Sequence, residues 1–316
     1  MADEHRTAEA RGRLTLACVV VVWAGSFSVI KVLLDHGLEP GDVAVLRYAV
    51  AAPGFAFILW RARGLPGLTR PDAMRVVAAG VAVVGGYHLF LNFGTERTAS
   101  GVAALVVALA PGLTMLLAVA LGLERLVGIR LVGLGVALAG VVVVVALGAG
   151  EEVSLENAKG PLIVVGAPLS FAVYNVLLKP LLGRHDLLAL TAATSLVGMV
   201  ALAPFVRGGT LGRAADLSGG DVLLVLYLGV AATLLGYIGW NVGLRGLGPT
   251  RAVVFTYAIP ALAVAIGAVV LDEPVTVWLA LGAVLVVGGI ALAQRTAGAG
   301  RGADRPPAAA PQAALE

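Results

Sequence analysis

The sequence predicts an all-α polytopic membrane protein, with ten transmembrane helices in two five-helix repeats of opposite orientation. Three observations lead there: an apolar composition, ten apolar stretches of spanning length, and rare residues that recur at one offset. Of 316 residues, 59% are hydrophobic and 13% charged, against about 25% charged in an ordinary soluble domain. A mean hydropathy of +0.96 leaves too little polar surface to face water on all sides, so the expected partner of the outer surface is the lipid bilayer. The formal net charge is +3 and the basic residues are scattered, which leaves no footprint for nucleic acid. Cys18 is the only cysteine; it permits no intramolecular disulfide and reads as a small residue in an apolar run.

A helix crosses the hydrocarbon core with about 20 apolar residues. Read as the stretches between charges, the predicted spans are Leu14–Leu34, Val43–Trp60, Val76–Thr95, Thr98–Leu123, Leu131–Gly150, Pro161–Leu178, Leu187–Val206, Val222–Leu244, Ala252–Leu271 and Pro274–Gln294. Buried strands also show apolar runs, but of only about 4–8 residues. The first run continues to Leu34 without a small-residue cleavage site, so no signal peptide is expected. With the N-terminus inside, 16 of the 22 Lys and Arg residues fall on the inner side and four on the outer, while Lys31 and Arg47 lie within spans. That bias predicts a multi-pass protein of the cell (inner) membrane with both termini cytoplasmic.

At an offset of 149, Asn92 meets Asn241, Gly94 meets Gly243, Pro111 meets Pro260, and Glu124 meets Glu273. Gly133 meets Gly282 and Gly140 meets Gly289 at the same offset, and Gly86-Tyr87 matches Gly236-Tyr237 one residue away. The Asn, Pro and Glu matches carry the weight in a chain so rich in Ala, Gly and Val. The expected organisation is a cytoplasmic N-terminal segment (1–13), a first repeat (14–150), a second repeat (151–294) and a disordered cytoplasmic tail (295–316) rich in Ala, Gly and Pro. Five spans per repeat is an odd number, so the second repeat is inverted. Inverted repeats allow two related conformations, each open to one side, with a site near the midplane.

The first span reads Trp23-Ala-Gly-Ser-Phe-Ser-Val-Ile-Lys31, and the second carries Arg47-Tyr48 after Pro40. The fourth runs through Ala103 and Pro111 to Leu121-Gly-Leu-Glu124-Arg125, and the second half repeats this with Pro260 and Leu271-Asp-Glu273-Pro274. Over residues 14–294 this pattern resembles the EamA-type ten-helix branch of the drug/metabolite transporter superfamily. The resemblance implies a bundle around a central cavity, with the fifth and tenth helices peripheral. It points to Trp23, Lys31, Arg47, Pro111, Glu124, Lys179, Pro260 and Glu273.

A cation at the bilayer centre costs about 2.5–3.5 kcal/mol. Arg47 and Lys31 therefore either snorkel to an interface or face a cavity, where they would hold a carboxylate or phosphate. Trp23, Ser26, Phe27, Tyr87, His88, Asn92, Tyr174, Asn175, Tyr237, Trp240, Asn241 and Tyr257 are the other candidate substrate-binding residues; each amide serves equally well as interhelical glue. Lys31, Pro111, Glu124, Lys179, Pro260 and Glu273 are candidate gate or hinge positions. The two prolines kink their helices, and the two glutamates sit where a carboxylate complements a helix N-terminus. The glycine pairs seven residues apart serve helix packing or a homodimer contact. His88 is the one histidine within a span and the candidate proton carrier.

No acidic residue lies at mid-depth, no His, Cys and carboxylate cluster has metal-ligand spacing, and no phosphate loop or G-x-S-x-G elbow occurs. No catalytic residue, cofactor or metal is expected. The reading is a secondary transporter, not an enzyme, exporting small amphipathic metabolites such as amino acids by alternating access. Alternatives are an exchanger of nucleotide sugars or phosphate esters, an intramembrane lipid-modifying enzyme, and a channel.

Overall fold

A computed structural model describes residues 2–124, 128–147 and 155–295; the predicted tail after Arg295 lies outside the described residues. Ten helices are long and apolar enough to cross a membrane: α1 (Glu9–Asp35), α2 (Pro40–Arg61), α3 (Arg70–Thr95), α4 (Ser100–Ala120), α5 (Gly128–Leu147), α6 (Ala158–Leu178), α7 (Leu187–Phe205), α8 (Gly219–Leu247), α9 (Arg251–Val270) and α10 (Val277–Gln294). All ten predicted spans are present. Their limits differ because charges are poor rulers for helix ends. The helix containing α1 starts at Ala2, so the expected separate N-terminal segment continues into the first span.

The helices α3 and α8 begin six and three residues before the predicted starts. Thr69 caps α3, and its hydroxyl donates to Asp72 at 2.9 Å. Ser218 caps α8 and donates to Asp221 at 2.6 Å. Thr69 and Ser218, like Asp72 and Asp221, are 149 apart, so the same hydroxyl N-cap bonded to an aspartate opens both helices and extends each to the interface, completed to a capping box at Ser218.

The prolines act as the sequence requires. The α4 rod is two segments, Ser100–Val107 and Ala110–Ala120, with Pro111 in the first turn of the second. The α9 rod breaks at Tyr257, two residues before the Ile259-Pro260 step. Proline lacks the N–H needed to continue the ladder and is tolerated at the start of a new segment.

The inverted relationship is visible in the contact between α5 and α10. A Cβ on Gly133 would stand 2.6 Å from Gly289 O, and one on Gly289 would stand 2.5 Å from Gly133 O. Gly140 and Gly282 face each other in the same way at 2.8 Å. Each glycine therefore meets the repeat counterpart of its partner, the reciprocity that a two-fold axis imposes. The glycine faces are used for packing within the chain. Gly289→Val is expected to destabilise by at least about 1–3 kcal/mol, because backbone rather than a flexible side chain blocks the added group. Gly288→Val is its control, since a Cβ there meets nothing within 4 Å. Thermal melting of the purified variants checks this; equal melting temperatures would refute it.

The same axis relates the central contacts. Gly80 of α3 approaches α7, where its Cβ would lie 2.4 Å from Thr194 O. Its counterpart Gly229 of α8 approaches α2, 2.8 Å from Arg47 O. Each repeat thus lends its third helix to the other, and α3 and α8 cross the middle of the bundle.

Candidate functional site

Helices α3 and α8 lose regular α geometry at matching depth. Val81–Tyr87 and Tyr227–Leu235 are wound as π-helix. Wider winding frees a carbonyl from the i→i−4 ladder, a feature concentrated at functional sites. In hydrocarbon such a carbonyl requires another donor. Val83 O receives the ring Nδ1–H of His88 at 2.8 Å, and Ala232 O receives the indole Nε1–H of Trp23 at 2.9 Å. Residues 83 and 232 are 149 apart, so one repeat position in each half is satisfied by an aromatic N–H. Gly236 has no Cβ for the same reason: it would stand 2.6 Å from Trp23 Nε1. A second carbonyl, Leu228 O, accepts from the Thr233 hydroxyl at 2.8 Å.

Helix α2 lies between the two π-helical stretches and touches both through adjacent residues. Arg47 Nε donates to Thr233 Oγ1 at 2.6 Å. Tyr48 Oη lies 3.3 Å from His88 Nδ1. Because Nδ1–H is given to Val83 O, Nε2 of His88 is the nitrogen left for another donor. Arg47 is 8% exposed, and among the described residues no carboxylate pairs with it. A guanidinium has five N–H donors; here only Nε has a protein acceptor, while the sealed, unsatisfied atoms of the structure do not include its other nitrogens. The snorkelling reading of Arg47 is not what the structure shows, since it is buried against α8.

Aromatic rings of both repeats pack on one another with the same two-fold pattern, and the set reaches Tyr48, the neighbour of Arg47 on α2, through His88. Trp23 of α1 meets Tyr237 of α8, centroids 6.2 Å apart, and Phe171 of α6 meets Tyr87 of α3 at 5.9 Å. Tyr87 contacts His88 at 4.9 Å, Phe171 stacks on Tyr174 at 5.6 Å, Trp240 lies 5.7 Å from Trp23, and Phe55 lies 6.3 Å from Tyr237. The cation is not duplicated, because residue 196, at the offset from Arg47, is leucine.

The structure brings together Trp23, Arg47, Tyr87, His88, Tyr174, Tyr237 and Trp240. It adds Tyr48, Phe55, Phe171 and Thr233, which the sequence reading missed. The other candidates are engaged elsewhere. Ser26 donates to Trp23 O at 2.6 Å within its own helix, and Phe27 is buried in the apolar core. Asn92 Nδ2 donates to Pro40 O and Asn241 Nδ2 to Tyr237 O, both at 2.9 Å. Tyr257 donates to Gln294 of α10, and half-buried Asn175 makes no side-chain hydrogen bond among the described residues.

An even number of spans puts the two ends of the bundle on one face, called here the terminal face. Two links repeat on both faces. Asp72 pairs with Arg184 at 2.8 Å on the terminal face, and Asp221 pairs with His36 at 2.6 Å on the opposite one. Arg213, between α7 and α8, adds Asp42 at 2.5 Å and Glu39 at 3.1 Å; the hydrogen bond to Asp42 raises the Arg213 guanidinium further above its usual range, against desolvation. Glu273 and Glu124 do not repeat each other. On the opposite face Glu273 accepts from Ser100 N at 2.6 Å, Ser100 Oγ at 3.0 Å and Gly101 N at 3.2 Å, tying α9 to the N-terminus of α4. On the terminal face Glu124 pairs with Lys179 at 3.0 Å and Arg130 at 3.6 Å. The half of α4 nearer the opposite face packs on α9, whereas the half nearer the terminal face packs on α6. Lys31 bonds within the first half alone, to Asp35 at 3.2 Å and Glu96 O at 3.4 Å.

Ten helices in two inverted repeats, with a buried unpaired cation and broken helices at mid-depth, define a membrane carrier of the inverted-repeat class. The chain belongs to the EamA-like transporter family, whose sequence profile matches residues 10–146 and again 158–294. It is 32% identical to an uncharacterized transporter of Archaeoglobus fulgidus over 89% of this chain and 98% of that one. It is 28% identical to a probable terminal-alkyne amino-acid exporter of Streptantibioticus cattleyicolor, over 92% of this chain and 96% of that one. A probable amino-acid metabolite efflux pump of Salmonella typhimurium is 29% identical, over 86% and 91%. A solved crystal structure at 23% identity superposes with a TM-score of 0.59, covering 90% of this chain and 97% of that one, and shares the fold.

Proposed function

We propose that this transporter exports small carboxylate-bearing metabolites of the amino-acid type by alternating access, with the terminal face in the cytoplasm. The observation that carries the reading is Arg47, a buried guanidinium with one neutral partner, beside Tyr48 and the aromatic cluster that Tyr48 joins through His88. A carboxylate matches its remaining donors bidentately, and an apolar or aromatic body matches the rings. The 16-to-4 bias of basic residues supports the cytoplasmic placement of the termini, and the names of the Streptantibioticus and Salmonella relatives support export.

Glu273, Ser100 and Gly101 form the latch of the opposite face in this reading, and Pro111 and Pro260 are the hinges of the two helices it joins. The links that occur on both faces form the frame; the glutamate that differs reports the state, shut outside and open inside. An exchanger of phosphate esters would be served by two cations at the site, and Lys31 supplies no second one because its partners are at the outer interface.

Counterflow of L-phenylalanine in proteoliposomes tests the function. Vesicles preloaded with unlabelled substrate are expected to accumulate external label above protein-free vesicles. Accumulation of phenethylamine, which lacks the carboxylate, with none of phenylalanine would overturn the reading.

A further inference from the structure

We infer that the chain carries a second binding site, a cytoplasmic loading site for the carboxylate of the cargo, in the cavity between α4, α5 and α10. The cavity has a volume of about 210 Å³ and opens at the terminal face. Its polar lining is Thr114, Glu124, Arg130 and Gln294. Its apolar wall includes Leu109, Met115 and Ile290. None of these residues belongs to the Arg47 cluster.

The polar groups there are under-used. Arg130 meets Glu124 at 3.6 Å, beyond hydrogen-bond reach for an N–H donor, and its Nε is enclosed with no acceptor. Glu124 is bonded instead to Lys179 at 3.0 Å. Two cations thus share one carboxylate, and the local balance of one positive charge favours an anion. Gln294 uses Oε1 for Tyr257, which turns its amide N–H₂ into the group available for an acceptor. A carboxylate in the cavity would meet the terminal guanidinium nitrogens of Arg130, whose side chain is partly exposed, and the Gln294 amide, with an apolar side chain along Leu109, Met115 and Ile290.

The repeat makes this site one-sided. The positions 149 residues from Thr114, Arg130 and Gln294 are Ala263, Leu279 and Val145. The axis that duplicates the aromatic rings, the hydroxyl N-caps and the glycine contacts therefore does not duplicate this cavity's chemistry. A carrier with equal mouths has no structural bias in where it collects substrate. One loading site, on the terminal face, raises the local concentration of carboxylate-bearing cargo on the cytoplasmic side alone. This inference rests on the carboxylate-exporter reading, and its ligand class is the apolar α-amino acid.

The test is equilibrium dialysis of labelled L-phenylalanine against the full chain purified in detergent. Variants are Arg130→Gln, which removes the cation, Met115→Trp, which fills the cavity, and Arg47→Gln, which removes the central cation; unchanged melting temperatures establish that each is folded. The wild type is expected to bind two phenylalanines per chain. Arg130→Gln and Met115→Trp each weaken one event about tenfold or more, and Arg47→Gln weakens the other. 3-Phenylpropanoate displaces the label from the loading site and phenethylamine does not.

Two events in both Arg130→Gln and Met115→Trp, as in the wild type, would overturn the loading site and leave the central reading standing, as would a single event removed by Arg47→Gln alone. A single event that survives Arg47→Gln and is lost in Arg130→Gln would uphold the loading site and overturn the central one. No binding by the wild type would overturn both. Displacement by phosphatidylglycerol but not by 3-phenylpropanoate would reassign the cavity to a lipid headgroup and overturn the inference.

Discussion

Arg47→Gln is expected to weaken cargo binding at the central site about ten- to a hundredfold and to abolish counterflow at substrate concentrations near the wild-type half-saturation. The size follows from what is removed. A hydrogen bond to a charged group contributes about 1.5–3 kcal/mol, and each 1.4 kcal/mol is about a factor of ten in affinity. The glutamine amide N–H₂ reaches about where Nε of Arg47 stands and can still donate to Thr233, so the fold is expected to survive: the Arg47–Thr233 bond at 2.6 Å joins the guanidinium to a neutral hydroxyl and is not an ion pair. Arg47→Lys is expected to restore only part of the activity, because an ammonium is a point charge and cannot form the bidentate fork. Counterflow rates at several substrate concentrations check this. Wild-type rates in Arg47→Gln, with correct melting and membrane insertion, would remove Arg47 from the site.

Glu273→Gln is expected to release the opposite face. The carboxylate accepts three hydrogen bonds from Ser100 and Gly101 with both of its oxygens. Glutamine replaces one acceptor oxygen by a donor, so an N–H₂ faces N–H or O–H donors at the helix start, and the complement to the α4 dipole is lost. A cost of about 1.5–3 kcal/mol falls on the closed state only, which shifts the balance of the two conformations about ten- to a hundredfold. Val264 reports it: in the closed face, a Cβ on Gly101 would come within 2.9 Å of its side chain. With Cys18→Ser as background, Val264→Cys is expected to react with a membrane-impermeant maleimide from the opposite face at least several-fold faster when Glu273→Gln is added. Equal labelling rates would show that Glu273 is a static cap. Because Glu124 is the repeat counterpart of Glu273, Glu124→Gln is the informative comparison: it breaks the contact with Lys179 on the terminal face and is expected to leave Val264 labelling unchanged.

Much of the fold was legible because membrane physics is one-dimensional along the chain. Lipid penalises charge at every depth of a span, so ten apolar stretches stand out without a structure, and an odd count per repeat implies inversion. The prolines at 111 and 260 announced the breaks in α4 and α9, since a missing N–H acts locally. The glycines at 133, 140, 282 and 289 announced close packing; with which helix they pack required the structure.

The site was only half legible. Arg47, Trp23, Tyr87, His88 and Tyr237 drew attention through chemistry that is costly or rare in lipid. Thr233 and Tyr48 did not, because nothing in the sequence marks a π-helical turn: that winding arises where Gly80 and Gly229 let α7 and α2 press on the crossing helices. The sequence left the amides of Asn92 and Asn241 open between substrate contact and helix packing; the structure shows their Nδ2 groups donating to the carbonyls of Pro40 and Tyr237, partners set by which acceptor each can reach. Span number, repeat, break points and the scarcity of interior charge belong to the sequence by itself, since each depends on residue type and position alone. Which aromatic N–H meets which freed carbonyl, which glutamate is latched, and that Arg130 and Gln294 line one cavity were decided by tertiary structure, because these depend on distances between segments far apart in the chain.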